Sequence, residues 1–329
     1  MKVEIVEDIE YNKWNELLED CDEATIFQTK EMLEVLKKSF ENYKIYYIVA
    51  LENDKIMCGL PIIRKKKKVF TLFASPDWGS PVLRENNQEA LKEVLRKFSS
   101  LSKEKGISCL SINDYFNKCD YLKDLGFETK QCSFHIVKLE KPFENMFPNK
   151  ISKSRRKNAN AAIKRGVVLE EVNSIEQVKE YYEMAKYTSA LYGGKHHFPF
   201  LFYKYIFEIM LSKNLVKWHI ARKDGTPVAA TLHFVYKDVV FDFLDTSYRQ
   251  YQNLRANDLL VYNMMKWACE NDFKIYHFGS SEGVESLMRF KEIWGADNLY
   301  FPIYMKKTLR HKIGEKVLDI TRKVRKIWR

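Results

Sequence analysis

The residue best placed to do chemistry is a lysine, Lys291, that follows a predicted strand end. Alternation over residues 274–278 predicts the strand, Gly279-Ser280-Ser281 breaks it, and residues 282–294 have the apolar spacing of a helix. Strand ends and helix N-termini are where α/β proteins commonly bind anionic ligands. We therefore predict that Lys291 contacts an anionic group. The alternative is a solvated surface lysine beside a core Phe290.

Three basic stretches carry much of the net charge of +11. Every charged residue in 64–68 and in 150–165 is Lys or Arg, and 306–329 is almost as basic. This excess predicts a polyanionic partner, namely a nucleic acid, a nucleotide-linked substrate or an acidic membrane surface. The alternative is that the charge only maintains solubility. The candidate phosphate contacts, on a predicted helix with a weak apolar face, are Lys153, Arg155 and Arg156.

Length and composition limit the class of protein. A chain of 329 residues with 46% apolar content can form about two domains with full cores. No apolar run reaches the roughly 18 residues of a membrane span, and the acidic, alternating N-terminus is unlike a signal peptide. The 6 cysteines lack C-x-x-C spacing, which favours reduced thiols in the cytoplasm.

Periodicity predicts two halves with a similar order of elements, which indicates an internal duplication of fold. The mixed order predicts α/β layers rather than a doubly wound parallel sheet. In the first half, strands are predicted at 1–6, 44–52, 55–64, 69–75, 82–83, 108–113 and 127–139 (one strand or a pair), and helices at 9–19, 29–40, 87–105 and 121–125. In the second half, strands are predicted at 167–172, 216–222, 226–236, 239–245, 274–278 and 299–306, and helices at 149–165, 175–192, 199–212, 257–271 and 282–294.

The domain boundary is predicted in the proline-flanked segment 142–148, which gives domains 1–147 and 148–307. The tail, 308–329, has a narrow apolar seam on a basic helix. Such a helix either lies on an anionic membrane or packs on its own protein, and the second is the commoner use.

The second half resembles the FemAB-like branch of the GNAT acyltransferase superfamily, including the BioF2-like acetyltransferase domain. The first half matches only in its order of elements and faintly at Gly79-Ser80-Pro81. The pieces that carry the resemblance, in order over about 150–296, are Ser154-Arg155-Arg156-Lys157-Asn158, Gly166-Val167, Asp224-Gly225-Thr226-Pro227-Val228-Ala229-Ala230, Ala256-Asn257-Asp258-Leu259-Leu260, His277-Phe278-Gly279-Ser280-Ser281 and Phe290-Lys291-Glu292-Ile293-Trp294-Gly295-Ala296.

This resemblance implies two tandem GNAT-like domains and a C-terminal helix that returns to the first. Members of the family move an acyl or aminoacyl group onto an amine. The FemAB transferases take the aminoacyl group from a charged tRNA and build peptidoglycan cross-bridges. The lysine of their F-K-x-x-(F/W)-G motif, implicated in phosphate binding and catalysis, corresponds to Lys291.

Two departures bear on the donor. Acetyl-CoA enzymes of the wider superfamily carry a glycine-rich loop whose amides hold pyrophosphate at a helix N-terminus, whereas the loop 249–257 has no glycine. Members of the family often have an arginine just before the glycine that follows the helix predicted here at 175–192. In this sequence Leu191-Tyr192 stands at that place. Aminoacyl-tRNA is therefore the preferred co-substrate, with acyl-CoA second, and no cofactor is expected to remain bound.

Aminolysis of an ester or thioester requires that the amine lose a proton and that the oxyanion be stabilised. Lys291 is the candidate for the oxyanion or a nearby phosphodiester, and Asp245 and His277 are the candidate bases, although a structural role is the alternative for each. His196-His197 lack a third ligand, so no metal is predicted. The remaining candidate substrate-binding residues are Arg255, Asn257, Ser280, Ser281 and Phe290, and either serine can instead cap the helix.

Two hypotheses follow. The first is an N-acyltransferase that acts on an anionic, nucleotide-linked or lipid-linked acceptor such as a cell-envelope precursor, in the cytoplasm or at the inner membrane surface. The second is a non-catalytic GNAT-like module that binds RNA or an anionic glycolipid. Substitution of Lys291 separates them, because only the first predicts loss of turnover with unchanged binding.

Overall fold

The computed structural model describes residues 1–67, 70–147, 149–191, 194–281 and 283–308. These residues form two compact units. The first contains Met1–Cys132 and the described residues from Phe301 to Thr308, and the second contains Ser133–Tyr300. The tail helix predicted at 308–329 lies outside the described residues from 309 onward.

The first unit is a mixed sheet covered by helices. Its strands are β1 (Lys2–Val6), β2 (Tyr43–Glu52), β3 (Lys55–Lys67), β4 (Phe70–Ala74), β5 (Val82–Leu83) and β6 (Cys109–Asn113), and its helices are α1 (Tyr11–Glu19), α2 (Lys30–Ser39) and α3 (Gln88–Ser100). The β2–β3 hairpin turns at Asn53 and Asp54, which both have positive φ, as a tight two-residue hairpin loop requires. The apolar face of α3 (Leu91, Val94, Leu95 and Phe98) is buried in the core of this unit.

The second unit carries the remaining strands and helices. Its strands are the second part, from Ser133 onward, of β7 (Glu128–Lys138), then β8 (Val167–Glu171), β9 (Val216–Lys223), β10 (Thr226–Tyr236), β11 (Val239–Ser247) and β12 (Ile275–Gly279). Its helices are α4 (Lys153–Lys164), α5 (Ile175–Leu191), α6 (Phe200–Tyr205), α7 (Ala256–Glu270) and α8 (Glu285–Ile293). A last strand, β13 (Asp297–Lys307), leaves this unit, and its residues 303–307 pair with β6 of the first.

The sheet of the second unit runs in the order β7-β12-β11-β10-β9-β8. Its described pairs are antiparallel except for β11 and β12, which are parallel. Helices cover both faces, since adjacent residues of a strand point to opposite sides. Trp218 packs on Tyr181 of α5 with ring centroids 4.9 Å apart, whereas His219 lines a pocket with Asn263 of α7.

The structure confirms the mixed α/β class and most of the predicted element order. Two details around α8 differ from the prediction. The helix begins at Glu285 after Val284, so neither Ser280 nor Ser281 caps it. The apolar spacing of residues 282–294 predicts that Leu287 shares a buried face with Phe290 and Trp294, but Leu287 is 40% exposed, whereas Lys291 and Trp294 are buried.

The division into units also differs from the predicted boundary after residue 147. Residues 135–138 of β7 pair with β12, which places 133–147 with the second unit. The return of the chain from Phe301 adds β13 to the first unit. A functional division into domains 1–147 and 148–307 stays a prediction.

Candidate functional site

The candidate site begins where β11 and β12 part. Their described pairing covers three residue pairs, from Val239–Ile275 to Phe241–His277. Beyond that point β11 continues to Ser247 and β12 ends at Gly279. Two parallel strands that separate in this way leave their facing backbone groups and nearby side chains accessible to a ligand.

A β-bulge in β11 brings two aspartates to the same face. The register shifts between Leu232 and His233, so that Asp242 lies opposite His233 and Asp245 lies opposite Thr231. Residues three apart in a regular strand point to opposite faces, but one extra residue restores the same face. Both carboxyl groups therefore lie on the side of the sheet that α7 covers.

Lys291 is buried, with 3% of its surface exposed, and does not extend into solvent. Its Nζ donates hydrogen bonds to the carbonyl oxygens of Gly279 (3.2 Å) and Ser280 (2.9 Å), just past the end of β12. Burial lowers the pKa of Lys291 to about 8, while the charges of Asp242 and Asp245 oppose this shift. The ammonium is thus placed beside the strand opening with a pKa close to neutrality.

His277 lies on the opposite face from the aspartates. Its ring stacks on Phe241 with centroids 4.4 Å apart, and its Nδ1 accepts a hydrogen bond from the Gly279 amide at 2.9 Å. Burial lowers the pKa of His277 to about 3, and the nearby Lys291 ammonium adds to the effect. The ring is therefore neutral at ordinary pH and holds the turn at the end of β12.

Buried polar residues of the neighbouring strands surround the two aspartates. The hydroxyl of Tyr276 lies 2.6 Å from Nε2 of His233 and donates to Oδ2 of Asp242 at 3.4 Å. Thr231 lies opposite Asp245, and its hydroxyl is 3.3 Å from Nδ1 of His233. We call these five residues the aspartate network. Burial raises the pKa of both carboxyl groups.

A second part of the site lies where α4 meets the N-terminus of α7. Arg155 donates to Asp258 at 2.6 Å, and Asn158 donates to the other oxygen of the same carboxylate at 3.1 Å. Asp258 is buried and Arg155 is partly buried. This ion pair fixes α4 against α7, and Arg155 also lines the pocket above it.

The pocket has a volume of about 220 Å³. Two of its polar atoms, Nε of Arg155 and Oδ1 of Asn257, are buried and have no hydrogen-bond partner among the described residues. Its wall also contains Phe290, the neighbour of Lys291 in the chain, so α8 contributes both a residue of the pocket and the buried lysine. Its polar and aromatic lining comprises Arg155, Ser247, Tyr251, Gln252, Arg255, Asn257, Asp258 and Phe290.

Arg255 takes the place of a loop glycine in backbone conformation. It precedes α7 in the left-handed region, with φ +62°. A bulky residue in that region costs about 1–2 kcal/mol relative to a right-handed one, and a cation at a helix N-terminus opposes the helix dipole. Strain of this kind commonly marks a functional position.

The predicted residues therefore fall into three places. The strand opening holds Lys291, Ser280 and Asp245, with His277 on the opposite face, while the pocket holds Arg155, Arg255, Asn257 and Phe290. Lys153 and Arg156 are exposed on α4, outside the pocket lining. Ser281 is buried, and its hydroxyl has no hydrogen-bond partner among the residues the structure describes.

Sequence reasoning missed Asp242, His233, Tyr276 and Asp258. Regular strand alternation places residues 242 and 245 on opposite faces, and a bulge leaves no reliable trace in sequence. His135 of β7, opposite Gly279 and fully buried, was missed for a similar reason: it pairs with β12 across a second register shift.

Neither a metal cluster nor a membrane helix is present in the described part of the chain. No group of His, Cys, Asp and Glu there is arranged to hold a metal ion. None of the described helices has the length and apolar character needed to cross a membrane.

Comparisons with known proteins agree with this fold. Residues 149–292 match the family model of an acetyltransferase (GNAT) domain. This match agrees with the predicted resemblance of the second half to the GNAT superfamily. No curated protein matches the chain in sequence.

Solved structures match almost the whole chain at low sequence identity. FemX is 15% identical over 92% of this chain and 97% of its own, with a TM-score of 0.73. A tandem GNAT protein from the clavulanic acid biosynthesis pathway is 9% identical over 93% and 98%, with a TM-score of 0.61. L-PGS from Bacillus licheniformis is 15% identical over 97% and 98%, with a TM-score of 0.60. These similarities establish the tandem GNAT fold.

Proposed function

We propose that the protein transfers an aminoacyl group from a charged tRNA, or an acyl group from an acyl-CoA, to an amine of a cell-envelope precursor. The observation that carries this proposal is that α8 places Phe290 in the wall of the Arg155–Arg255 pocket and buries the next residue, Lys291, beside the end of β12. A phosphate-bearing donor in that pocket would present its reactive carbonyl near the strand opening.

The chemistry assigned to each residue follows from its environment. The Lys291 ammonium stabilises the oxyanion of the tetrahedral intermediate or the phosphodiester beside the leaving hydroxyl. Asp245 accepts the proton of the amine. We assign this step to Asp245 rather than His277, because an imidazole with a pKa of about 3 is a weak base and its Nδ1 already accepts a hydrogen bond.

The preference for tRNA over acyl-CoA rests on the loop before α7 and on α4. The loop has Arg255 in the left-handed conformation where acyl-CoA enzymes of the superfamily use glycine, so its side chain occupies space that bare amides would leave to a pyrophosphate. The exposed cations Lys153, Arg156 and Lys157 on α4 extend the basic surface beyond the pocket. A polynucleotide uses such a surface, whereas a small donor has little need of it.

The experiment compares Lys291→Ala with Lys274→Ala, an exposed lysine at the start of β12. With aminoacyl-tRNA as donor, we expect Lys291→Ala to lower kcat at least about 100-fold and to leave donor binding within a few-fold. Lys274→Ala should leave both unchanged. Acetyl-CoA at saturating dose should not raise the melting temperature. A true ligand at about 100 times its Kd would raise the free energy of unfolding by roughly 2.7 kcal/mol and would therefore raise the melting temperature clearly.

The competing function, a non-catalytic module for RNA or an anionic glycolipid, predicts a different result. Wild-type protein would bind tRNA, yet no transfer would occur from charged tRNA or from acyl-CoA to any amine tested. A clear acetyl-CoA shift would instead make acyl-CoA the donor.

A further inference from the structure

Asp242 and Asp245 are adjacent acids in a place that cannot hold two negative charges. Asp242 has 8% of its surface exposed, and the bulge in β11 points both carboxyl groups to the same side. The two acids are neighbours on that face, and the charge of Asp245 adds to burial in raising the pKa of Asp242. Two like charges in contact and away from water cannot both persist.

The partners of each acid indicate which one holds the proton. Thr231 lies opposite Asp245 in the sheet, and its hydroxyl lowers the pKa of that carboxyl group. Asp242 is the deeper acid, so burial and the charge of Asp245 raise its pKa well above the ordinary value. Asp242 is therefore the member of the pair that holds the proton.

The groups that face the pair leave this assignment intact. From α8, the Lys291 ammonium lowers the pKa of both acids. The His233 ring on β10 is neutral, because burial lowers its pKa well below the usual value, and Tyr276 on β12 and Tyr181 on α5 have raised pKa values. Lys291 is thus the cation that balances the single charge of the pair.

One oxygen of Asp245 remains available. Its Oδ1 is buried and has no hydrogen-bond partner among the described residues. A buried carboxylate oxygen without a donor is costly, and a ligand that brings an N–H group removes that cost. An ammonium entering the opening between β11 and β12 has the required chemistry.

We propose that Asp242 and Asp245 share one proton and that this pair binds the acceptor ammonium and takes up the proton it loses. The inference rests on the proposed function. Asp245 is the catalytic residue, because it touches the reacting nitrogen. Asp242 is a positioning residue, which acts through its hydrogen bond to Asp245 and is itself fixed by Tyr276.

The step balances as follows. The acceptor R–NH3⁺ gives one proton to the Asp245 carboxylate and becomes a free amine. The nitrogen lone pair forms the C–N bond to the donor carbonyl, and collapse of the intermediate breaks the bond to the leaving oxygen or sulfur. The leaving group takes a second proton from the nitrogen, and the amide keeps the third. Asp245 returns its proton to water after the product leaves.

Amide and alkyl substitutions at the two positions test the pair by transfer rate. The side-chain amide of Asp242→Asn still donates to Asp245, so we expect this variant to stay within about fivefold of wild type. Asp242→Ala has no group that can donate, so its transfer rate should fall at least about 30-fold. The transfer rate of Asp245→Asn should fall at least about 100-fold, because the amide cannot accept the proton. Equal losses for Asp242→Asn and Asp242→Ala would overturn the proposal.

A spectroscopic measurement reads the shared proton without any substrate. In protein labelled with ¹³C at the aspartate carboxyl carbons, one carboxyl signal of the wild type should remain at its protonated shift at pH 7 and should vanish in Asp242→Asn. If every aspartate is ionised at pH 7, the proposal is wrong whatever the activity. If the shared proton is present and the wild type transfers nothing from either donor, the proposed function fails, and with it the role of the pair in transfer.

Discussion

At the scale of single residues, the site depends on a lysine whose pKa lies close to the working pH. The pKa of Lys291 is about 8 because burial disfavours the ammonium. If the ammonium stabilises the transition state, its fraction and the rate fall together as pH rises through that value. We expect kcat/KM to drop about tenfold per unit above pH 8.

Lys291→Arg identifies the group responsible for that decline. A guanidinium stays charged through this range, so the variant should be slower than wild type but should lack the fall above pH 8. A pH profile of kcat/KM for both proteins makes the comparison. An unchanged descending limb in Lys291→Arg would assign the limb to another group.

Arg255 gives a second prediction at this scale. Glycine has no steric penalty at φ +62°, so Arg255→Gly should raise the free energy of unfolding by about 1 kcal/mol and weaken donor binding about tenfold. Lys237→Gly, in the β10–β11 turn at φ +47°, is the matched control that should stabilise without affecting the donor. Thermal unfolding and donor titration of both variants test the two effects, and tighter donor binding by Arg255→Gly would contradict the role of the guanidinium.

At the scale of elements, the sequence predicts what periodicity controls and misses what a single inserted residue controls. The meander of β9, β10 and β11 is predicted to within two residues, because buried and half-buried strands alternate or run apolar. The bulge in β11 and the late start of α8 are not predictable in the same way. Both depend on tertiary pairing, and both decide which side chains enter the site.

The end of α8 packs closely on the chain just before α4, and a glycine, Gly295, makes this close packing possible. A Cβ at Gly295 (φ +79°) would lie 2.6 Å from the carbonyl oxygen of Lys150. Gly295→Ala should therefore lower the free energy of unfolding by about 3 kcal/mol. It should also displace the helix that carries Lys291 and so lower the transfer rate.

Gly225→Ala is the control for this substitution. Gly225 has φ +77° but nothing within 4 Å of an added Cβ, so only the backbone strain of about 1 kcal/mol applies and activity should be retained. Chemical denaturation measures both losses. Equal losses in the two variants would show that the contact with Lys150 does not restrain α8.

At the scale of the whole molecule, the repeated order of elements and the resemblance of residues 150–296 were enough to predict a tandem GNAT fold. They were insufficient for the limits of the compact units, because β13 returns to pair with β6 and no local pattern reports such a long-range pairing. The fold likewise does not determine the donor, since solved structures with this architecture carry names that describe different proteins.

The distribution of charge provides a test of the donor at this scale. The net charge of +11 includes the exposed cations of α4, and each phosphate contact that a cation makes releases counterions. For wild-type protein, log Kd for tRNA should therefore rise linearly with log salt concentration. In the double variant Lys153→Gln/Arg156→Gln, the slope should decrease by about two, with weaker binding at low salt.

The matched control removes the same charge from the other side of the sheet. Lys179 and Lys186 are exposed on α5, which packs on the face opposite α7. Lys179→Gln/Lys186→Gln should therefore leave the salt slope unchanged although its net charge equals that of the α4 variant. Equal salt slopes for the two double variants would mean that tRNA binding depends only on the net charge of the protein. The basic face of α4 would then not be the surface that binds the donor.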